Sequence, residues 1–205
     1  MGMNCGMEAQ MMPTSFNEHI RRILVVGEIN DATSAMFLDQ ITMLEYLDPT
    51  TSINVYINSP GGSVSSALAM YDAITTCSCP VRTVSLGLCA SAAVLIGASG
   101  NKGNRLVSAN ATVMVHQIST MMMGSSCELD NEVQEVRRLQ DVYNKILSKE
   151  TGRSVKQIQE DMKQNYYMTA QESIKFGIFD KILPTRKVGN VVIPGTKAKK
   201  TLRSK

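Results

Sequence analysis

Apolar and polar residues along the chain follow two periods, one typical of strands and one typical of helices, in alternation. Ile, Leu and Val dominate the first such segment, over 20–29, which therefore predicts a buried strand. Helical spacing of apolar residues follows over 31–47. The complete order predicted is a strand over 20–29, a helix over 31–47, a strand over 53–57, a helix over 63–76, a strand over 81–87, a helix over 91–98, a strand over 112–116, a long helix over 125–150, a helix from 169 to 177 and a strand over 179–183.

The long helix has the clearest pattern. Charged residues surround one apolar stripe, formed by Leu129, Val133, Val136, Leu139, Val142 and Ile146. Repeated strand-then-helix units indicate an α/β fold. Because no linker interrupts them, we expect one domain over 20–184, between a flexible N-terminal segment over 1–19 and a flexible tail over 185–205.

Charge is divided unevenly along the chain. The net charge of +3 hides a tail over 185–205 with seven basic residues and no acidic one, so the remaining residues carry 14 basic (21 − 7) against 18 acidic side chains. A body with a net charge of −4 (14 − 18) argues against a dedicated nucleic-acid-binding face. The tail is too polar to fold by itself, and we expect it to be solvated.

Other bulk features narrow the class of protein. No apolar run approaches the roughly 18 residues needed to cross a bilayer, and residues 1–13 lack the basic and apolar regions of a signal peptide. The five cysteines have no disulfide or zinc spacing. Free thiols are typical of a reducing compartment, so we expect a cytoplasmic location with no membrane contact.

One serine and one histidine suggest nucleophilic chemistry. Ser91 follows a predicted strand and would begin a helix, and His116 lies 25 residues later (116 − 91). A serine hydroxyl needs a base such as imidazole to take its proton. A third group must accept the other ring N–H, and Asn165, 49 residues further on (165 − 116), is the candidate.

Residue types alone do not identify Ser91, His116 and Asn165 as a catalytic site. A serine at a helix start is usually an N-cap, a histidine in an apolar strand is usually a core residue, and Asn165 could be an ordinary loop residue. Four other serines, Ser59, Ser63, Ser65 and Ser66, are equally acceptable nucleophiles at this level. A hydrolase is therefore one hypothesis among several from the residues by themselves.

Several separated motifs resemble ClpP, the proteolytic subunit family of the ATP-dependent Clp proteases. They run in order over about 23–183: Tyr56-Ile57-Asn58-Ser59-Pro60-Gly61-Gly62, Tyr71-Asp72-Ala73-Ile74, Ala90-Ser91, Val113-Met114-Val115-His116-Gln117, Met168-Thr169-Ala170-Gln171-Glu172 and Phe176-Gly177-Ile178-Phe179-Asp180. The resemblance implies a crotonase-like superhelical core of repeated β-β-α units. It also implies a protruding handle, which would cover about 117–150.

The same resemblance implies a serine endopeptidase that cleaves unfolded polypeptides inside stacked heptameric rings, a heptamer or tetradecamer. Ser91 would be the nucleophile and His116 the base, and the N–H groups of Gly62 and Ala92 would bind the oxyanion. No metal or cofactor is implied for this chain, since ATP would be used by a partner AAA+ unfoldase.

The chain departs from that family at positions that matter. Asn165 stands where the family usually has Asp, and Gln164 where it usually has an Arg that pairs across rings. Asn54 and Thr76 fall where aromatic residues usually form the unfoldase-docking pocket. We therefore expect weak or conditional peptidase activity, and a divergent chain that works in a mixed particle with a second ClpP paralogue.

Other interpretations remain open from the sequence. The chain could be a catalytically idle structural or regulatory subunit of such a mixed particle. A crotonase-type enzyme acting on a CoA thioester would share the fold, although the body has no obvious basic cluster for CoA. A ClpP-like head-maturation protease of a phage is a further alternative, because the sequence does not reveal the genome.

Overall fold

The computed structural model describes residues 20–184, which form seven strands and six helices. In chain order these are β1 (Arg22–Ile29), α1 (Asp31–Leu47), β2 (Ile53–Gly62), α2 (Val64–Thr76), β3 (Val81–Ala90), α3 (Ala93–Ala98), β4 (Arg105–Val107), β5 (Thr112–Val115), α4 (Ser126–Thr151), α5 (Val155–Asp161), β6 (Tyr166–Met168), α6 (Ala170–Phe176) and β7 (Lys181–Ile182).

All seven strands belong to one sheet. Five follow the parallel order β1-β2-β3-β4-β7. The edge of β3 is divided between two partners: Thr83–Ser85 pair with β4, and Leu88–Ala90 pair in parallel with β5. β5 in turn pairs antiparallel with β6. The carboxyl ends of β3 and β5 therefore lie side by side.

Burial follows the alternation of side chains along each strand. Ile23, Val25, Val55 and Ile57 are almost fully buried on one face of the sheet, as the period of two requires. The short helix α3 is buried at all six residues, which explains its run of small and aliphatic side chains. Helix α3 packs against β3, so the turn that joins the two is held by a strand on one side and a buried helix on the other.

Helix α4 is buried over only part of its 26 residues. Tyr143, Asn144, Leu147 and Glu150, all in its second half, are its buried residues. In the first half, Leu129 and Val136 are partly covered and Val133 is 36 % exposed. Half of the predicted apolar stripe, formed by Leu129, Val133 and Val136, therefore lies on a part of the helix that the other described residues cover only in part. No helix among residues 20–184 has the length and apolar character that crossing a membrane requires.

The α/β class and most of the predicted elements are confirmed. The structure adds three elements that periodicity did not indicate, namely β4, α5 and β6, of which the two strands have only three residues each. The predicted capping box at Thr169 and the helix end at Gly177 are both present. The predicted segments over 1–19 and 185–205 lie outside the described residues.

A buried ion pair ties β4 to the turn before β7. The guanidinium of Arg105, 4 % exposed, donates through Nε to Asp180 Oδ1 at 3.1 Å, and its Nη1 donates to the Glu150 carbonyl at the end of α4 at 3.0 Å. Burial by itself would raise the pKa of Asp180, but the hydrogen bonds from Arg105 and the Gly103 N–H outweigh it, and the pKa is lowered. The carboxylate therefore stabilises the fold only while it is ionised.

We expect Asp180→Asn to reduce the free energy of unfolding at pH 7 by about 1–3 kcal/mol, because Arg105 would stay buried without its counter-charge. A carboxyl whose pKa is lower when folded contributes stability above its unfolded pKa of about 4, and loses it as pH falls through the folded value. Urea unfolding between pH 7 and pH 3 should therefore show a smaller acid-dependent loss in the variant.

The control is Glu160→Gln, which removes an exposed pair with Lys163 and should change stability by less than about 1 kcal/mol. Equal stability and an equal pH profile for Asp180→Asn and the parent chain would contradict the role given to this pair.

Candidate active site

Ser91 lies in a tight turn between β3 and α3, with a positive φ of 55°. This left-handed conformation is uncommon outside glycine and persists only where surrounding contacts hold it. Its N–H donates to the Met114 carbonyl of β5 at 2.8 Å, and its own carbonyl accepts from the Val94 N–H at 3.0 Å. The prediction that Ser91 begins the helix is wrong by two residues, because the strained turn comes first and α3 starts at Ala93.

A strand, a strained turn and a helix form the arrangement that exposes the hydroxyl of a nucleophilic serine in α/β-hydrolases. Here the turn also needs a glycine beside it. A Cβ added to Gly61 would lie 2.7 Å from Ser91 Cβ and 2.9 Å from the Ala92 nitrogen. Gly61 also has a φ of +96°. The Pro60-Gly61-Gly62 turn thus packs its bare backbone directly against the Ser91 turn.

His116 is brought to Ser91 by the neighbouring strand. β5 ends at Val115, one residue earlier than predicted, and the His116 ring then reaches the end of β3. Its Nε2 lies 2.8 Å from Ser91 Oγ. For Nε2 to accept the hydroxyl proton, the ring proton must be on Nδ1. The pair has the geometry of a base and the alcohol that it activates.

The structure separates Ser91 from the other candidate serines. Ser59 is fully buried and accepts from the Gly61 N–H at 3.0 Å. Ser63 caps α2, and Ser66 donates to Asp31 at 2.8 Å. Ser65 is exposed on α2. Among these serines, only Ser91 has a hydrogen bond with a histidine.

Asn165 comes directly before β6 and His116 directly after β5, and no hydrogen bond joins their side chains. β5 and β6 pair Val115 with Tyr166, so one further step in this antiparallel register sets His116 opposite Asn165. Within residues 20–184, neither the Asn165 side chain nor His116 Nδ1 has a hydrogen-bond partner, and Asn165 is exposed. The structure therefore brings Ser91 and His116 into contact, and Asn165 forms no hydrogen bond with either of them.

The two predicted oxyanion donors flank the nucleophile differently. The Ala92 N–H follows Ser91 in the turn and has no acceptor within the described part of the chain. Gly62 ends β2 in the segment that packs on the Ser91 turn, with a φ of +144°. A Cβ there would contact the Ile29 carbonyl oxygen at less than a van der Waals distance, so the position requires glycine.

Three residues of α4 support the site, and periodicity did not single them out. The Tyr143 hydroxyl donates to the Ser91 carbonyl at 2.9 Å, and Gln140 Oε1 accepts from the Ile118 N–H at 2.7 Å. Gln140 also contacts Asn144. Burial raises the pKa of Tyr143, so the phenol stays protonated and can donate. Tyr143 and Asn144 lie next to the predicted apolar stripe. The sequence feature that could have indicated a role for Tyr143 is a phenol hydroxyl on the border between the apolar and polar faces of the helix.

No group of three or more His, Cys, Asp or Glu side chains among residues 20–184 is placed to bind a metal ion. The reactive groups that the structure brings together are the Ser91 hydroxyl and the His116 imidazole, with the Ala92 N–H beside them. In the comparison with known protein families, the family model described as Clp protease matches residues 8–186, which is most of the chain and includes every residue of the site.

We expect Tyr143→Phe to slow the reaction of Ser91 with a fluorophosphonate by up to about tenfold, because one hydrogen bond that holds the strained turn is lost. The measurement is the second-order labelling rate constant together with the melting temperature. The matched control is Tyr71→Phe, which removes another buried tyrosine hydroxyl, bonded to Glu150 Oε1 at 2.7 Å and remote from Ser91 in the fold.

Both variants should lose similar stability, and only Tyr143→Phe should lose reactivity. Equal labelling rates in the two variants would show that Tyr143 contributes to packing alone.

Proposed function

Since the chain belongs to the Clp protease family, we propose that it is a serine endopeptidase subunit that hydrolyses peptide bonds of unfolded polypeptides. The observation that carries this proposal is the 2.8 Å contact between His116 Nε2 and the Oγ of Ser91, a residue held at a φ of 55°. Members of this family assemble into rings and work with Clp ATPases, which supports the same activity here.

In the proposed reaction, Ser91 Oγ attacks the substrate carbonyl carbon while His116 Nε2 takes the hydroxyl proton. The carbonyl oxygen becomes an oxyanion, and the N–H groups of Ala92 and Gly62 stabilise it. His116 then gives the proton to the leaving amine, the C–N bond breaks, and an acyl-enzyme ester remains. A water molecule, deprotonated by the same imidazole, hydrolyses the ester and restores Ser91.

Asn165 sets the expected level of activity. After a side-chain rotation, its amide oxygen can accept the Nδ1–H of His116, since the two residues face each other in the extended register of β5 and β6. A neutral amide cannot stabilise imidazolium as a carboxylate does, and replacing the triad Asp by Asn in a serine protease costs about 10⁴-fold in kcat. We therefore propose weak activity that depends on an assembly that orders Asn165.

For the assembly, we propose heptameric rings of the crotonase-like superhelical type, joined through the segment over 117–150. Met121 and Met123 are 98 % and 100 % exposed, and the first half of α4 is largely uncovered by the described residues. Exposed apolar side chains of this kind indicate a protein contact. The proposed setting is cytoplasmic, with ATP hydrolysis by a partner unfoldase.

Contact with that unfoldase is proposed to be shared with a more standard ClpP paralogue. Leu24, Val26 and Leu86 are 46 %, 61 % and 37 % exposed around Tyr56 on the outer face of the sheet, which supports a protein contact there. Asn54 lies on the same strand as Tyr56, and because its side chain is polar it reduces the apolar area that this face offers to a partner. In a mixed particle, the second paralogue would provide the rest of the surface to which the unfoldase binds.

A catalytically idle subunit is the second candidate function. The observation that favours it is that His116 Nδ1 has no hydrogen-bond partner among residues 20–184, because a ring without its third member does not hold the required tautomer. In this case the chain would shape or regulate a mixed particle, and the second paralogue would do all of the hydrolysis.

Labelling with a fluorophosphonate probe separates the two candidates. We expect a covalent adduct at Ser91, detected by mass spectrometry of tryptic peptides, in the chain alone or after mixing with a second Clp protease chain from the same organism. Ser91→Ala should abolish the adduct, and Ser63→Ala, which removes only a helix cap, should keep it. No adduct in either assembly would reject the peptidase and support the idle subunit.

Asn165→Asp should increase hydrolysis of an unstructured fluorogenic peptide by at least about tenfold, because a carboxylate can stabilise the imidazolium of His116. The initial rate in the assembled particle is the quantity to measure. Gln164→Glu is the control, since it adds the same charge at the adjacent exposed position. An unchanged or lower rate in Asn165→Asp would count against the role given to Asn165.

A further inference from the structure

The ladder between β2 and β3 is interrupted at one level. Up to Ile57 and Ser85 the two strands pair residue by residue, and the pairing resumes at Ser59 and Cys89. One residue of β2 therefore lies opposite three residues of β3, over 86–88. Such a bulge changes the register and the direction of the strand that contains it. Here it lies directly before the part of β3 that leads to the candidate nucleophile.

The residue opposite the bulge is Asn58, and its side chain binds the bulged backbone. Asn58 Oδ1 accepts a hydrogen bond from the Leu88 N–H at 3.1 Å. Gly87, in the middle of the bulge, has a φ of +73°, a conformation that favours glycine. A Cβ on Gly87 would lie 2.9 Å from Asn58 Oδ1, so the carboxamide lies directly against this backbone. A side chain of β2 thus binds β3 at the level where the ladder between the two strands is broken.

The N–H that Asn58 binds belongs to the residue at which β3 begins to pair with β5, namely Leu88. Three residues later (91 − 88), the Ser91 N–H extends this pairing by donating to a carbonyl of β5. His116 comes directly after β5. The hydrogen bond from Leu88 to Asn58 therefore lies at the start of the pairing that sets the position of the serine relative to the imidazole.

The strand end that carries the proposed oxyanion turn also follows Asn58. β2 ends at Gly62, four residues further on (62 − 58), and Gly62 is one of the two proposed oxyanion donors. Between them, Gly61 packs against the Ser91 turn. The hydrogen bond between Asn58 and Leu88 therefore joins the final parts of β2 and β3 at the point where their backbone pairing is interrupted.

We infer that Asn58 is a positioning residue of the peptidase, whose carboxamide oxygen holds the bulge of β3 so that Ser91 Oγ is placed against the imidazole and the oxyanion donors. The inference rests on the proposed peptidase function. Asn58 contributes no group to the reaction and acts only through the backbone that follows Leu88. Because the reacting atoms must be placed accurately, a small shift of the bulge costs more in reaction rate than in stability. Asn58 is exposed, so its own contribution to folding is small.

The test is hydrolysis of an unstructured fluorogenic peptide by the full chain in its active assembly, together with the fluorophosphonate labelling rate of Ser91 and the melting temperature. Asn58→Leu removes the acceptor, and we expect it to lower kcat and the labelling rate about tenfold, with KM little changed and the melting temperature only about 2–4 °C lower. Asn58→Asp keeps an acceptor oxygen at the same place and should retain the parent kcat. Asn110→Leu, the same change at an exposed residue whose side chain forms no hydrogen bond among residues 20–184, should match the parent.

Asn58→Ala covers the case in which Asn58→Leu does not fold, because it removes the carboxamide without adding bulk, and the same loss of kcat is expected. An unchanged kcat in the variants without the acceptor, a loss in Asn58→Asp as large as theirs, or a change in KM alone would overturn this inference. Labelling of the parent chain at Ser91 would leave the proposed function intact in each of these cases. Absence of both labelling and hydrolysis in every assembly of the parent would overturn the proposed function, and this inference with it.

Discussion

The divided edge of β3 is the constraint on which the site depends. Its first part pairs with β4 and its last part, Leu88–Ala90, pairs with β5. The hydrogen bond from the Ser91 N–H to the Met114 carbonyl extends the second pairing beyond the strand into the turn. Because β3 and β5 end next to each other, the left-handed turn at Ser91 is enough to bring its Oγ within 2.8 Å of His116 Nε2.

Helix α4 is the second support of the site. Its buried half provides Tyr143 to the carbonyl of Ser91, and Gln140 to the backbone just after His116. The other end of the same buried half is held by Arg105, whose guanidinium binds the Glu150 carbonyl and Asp180. The reactive pair and the ion pair of β4 are thus joined through a single helix.

Much of the fold followed from periodicity, because long amphipathic helices and apolar strands carry a repeating signal. β4 and β6 have three residues each, which is less than two periods of a strand pattern, and they exist through pairing with distant segments. The left-handed conformation of Ser91 is likewise imposed by contacts from β5, α4 and Gly61, which no local pattern contains. The spacing of Ser91 and His116 suggested a pair, and the family resemblance implied Ser91 as the nucleophile. The residue types alone left five serines, and among them the structure joins only Ser91 to a histidine by a hydrogen bond.

The divided pairing of β3 also determines where the length of this chain can change. One residue inserted between Leu88 and Ser91 would shift the pairing of the end of β3 with β5 by one residue, reverse the faces of the strand residues after it and move the Ser91 hydroxyl away from the imidazole. The same holds for a deletion in β5 before His116. The segment over 117–124, which has no strand or helix and is largely exposed, is under no such restriction. Divergence of this protein by insertion and deletion is therefore confined to segments outside β3 and β5, whatever substitutions accumulate within them.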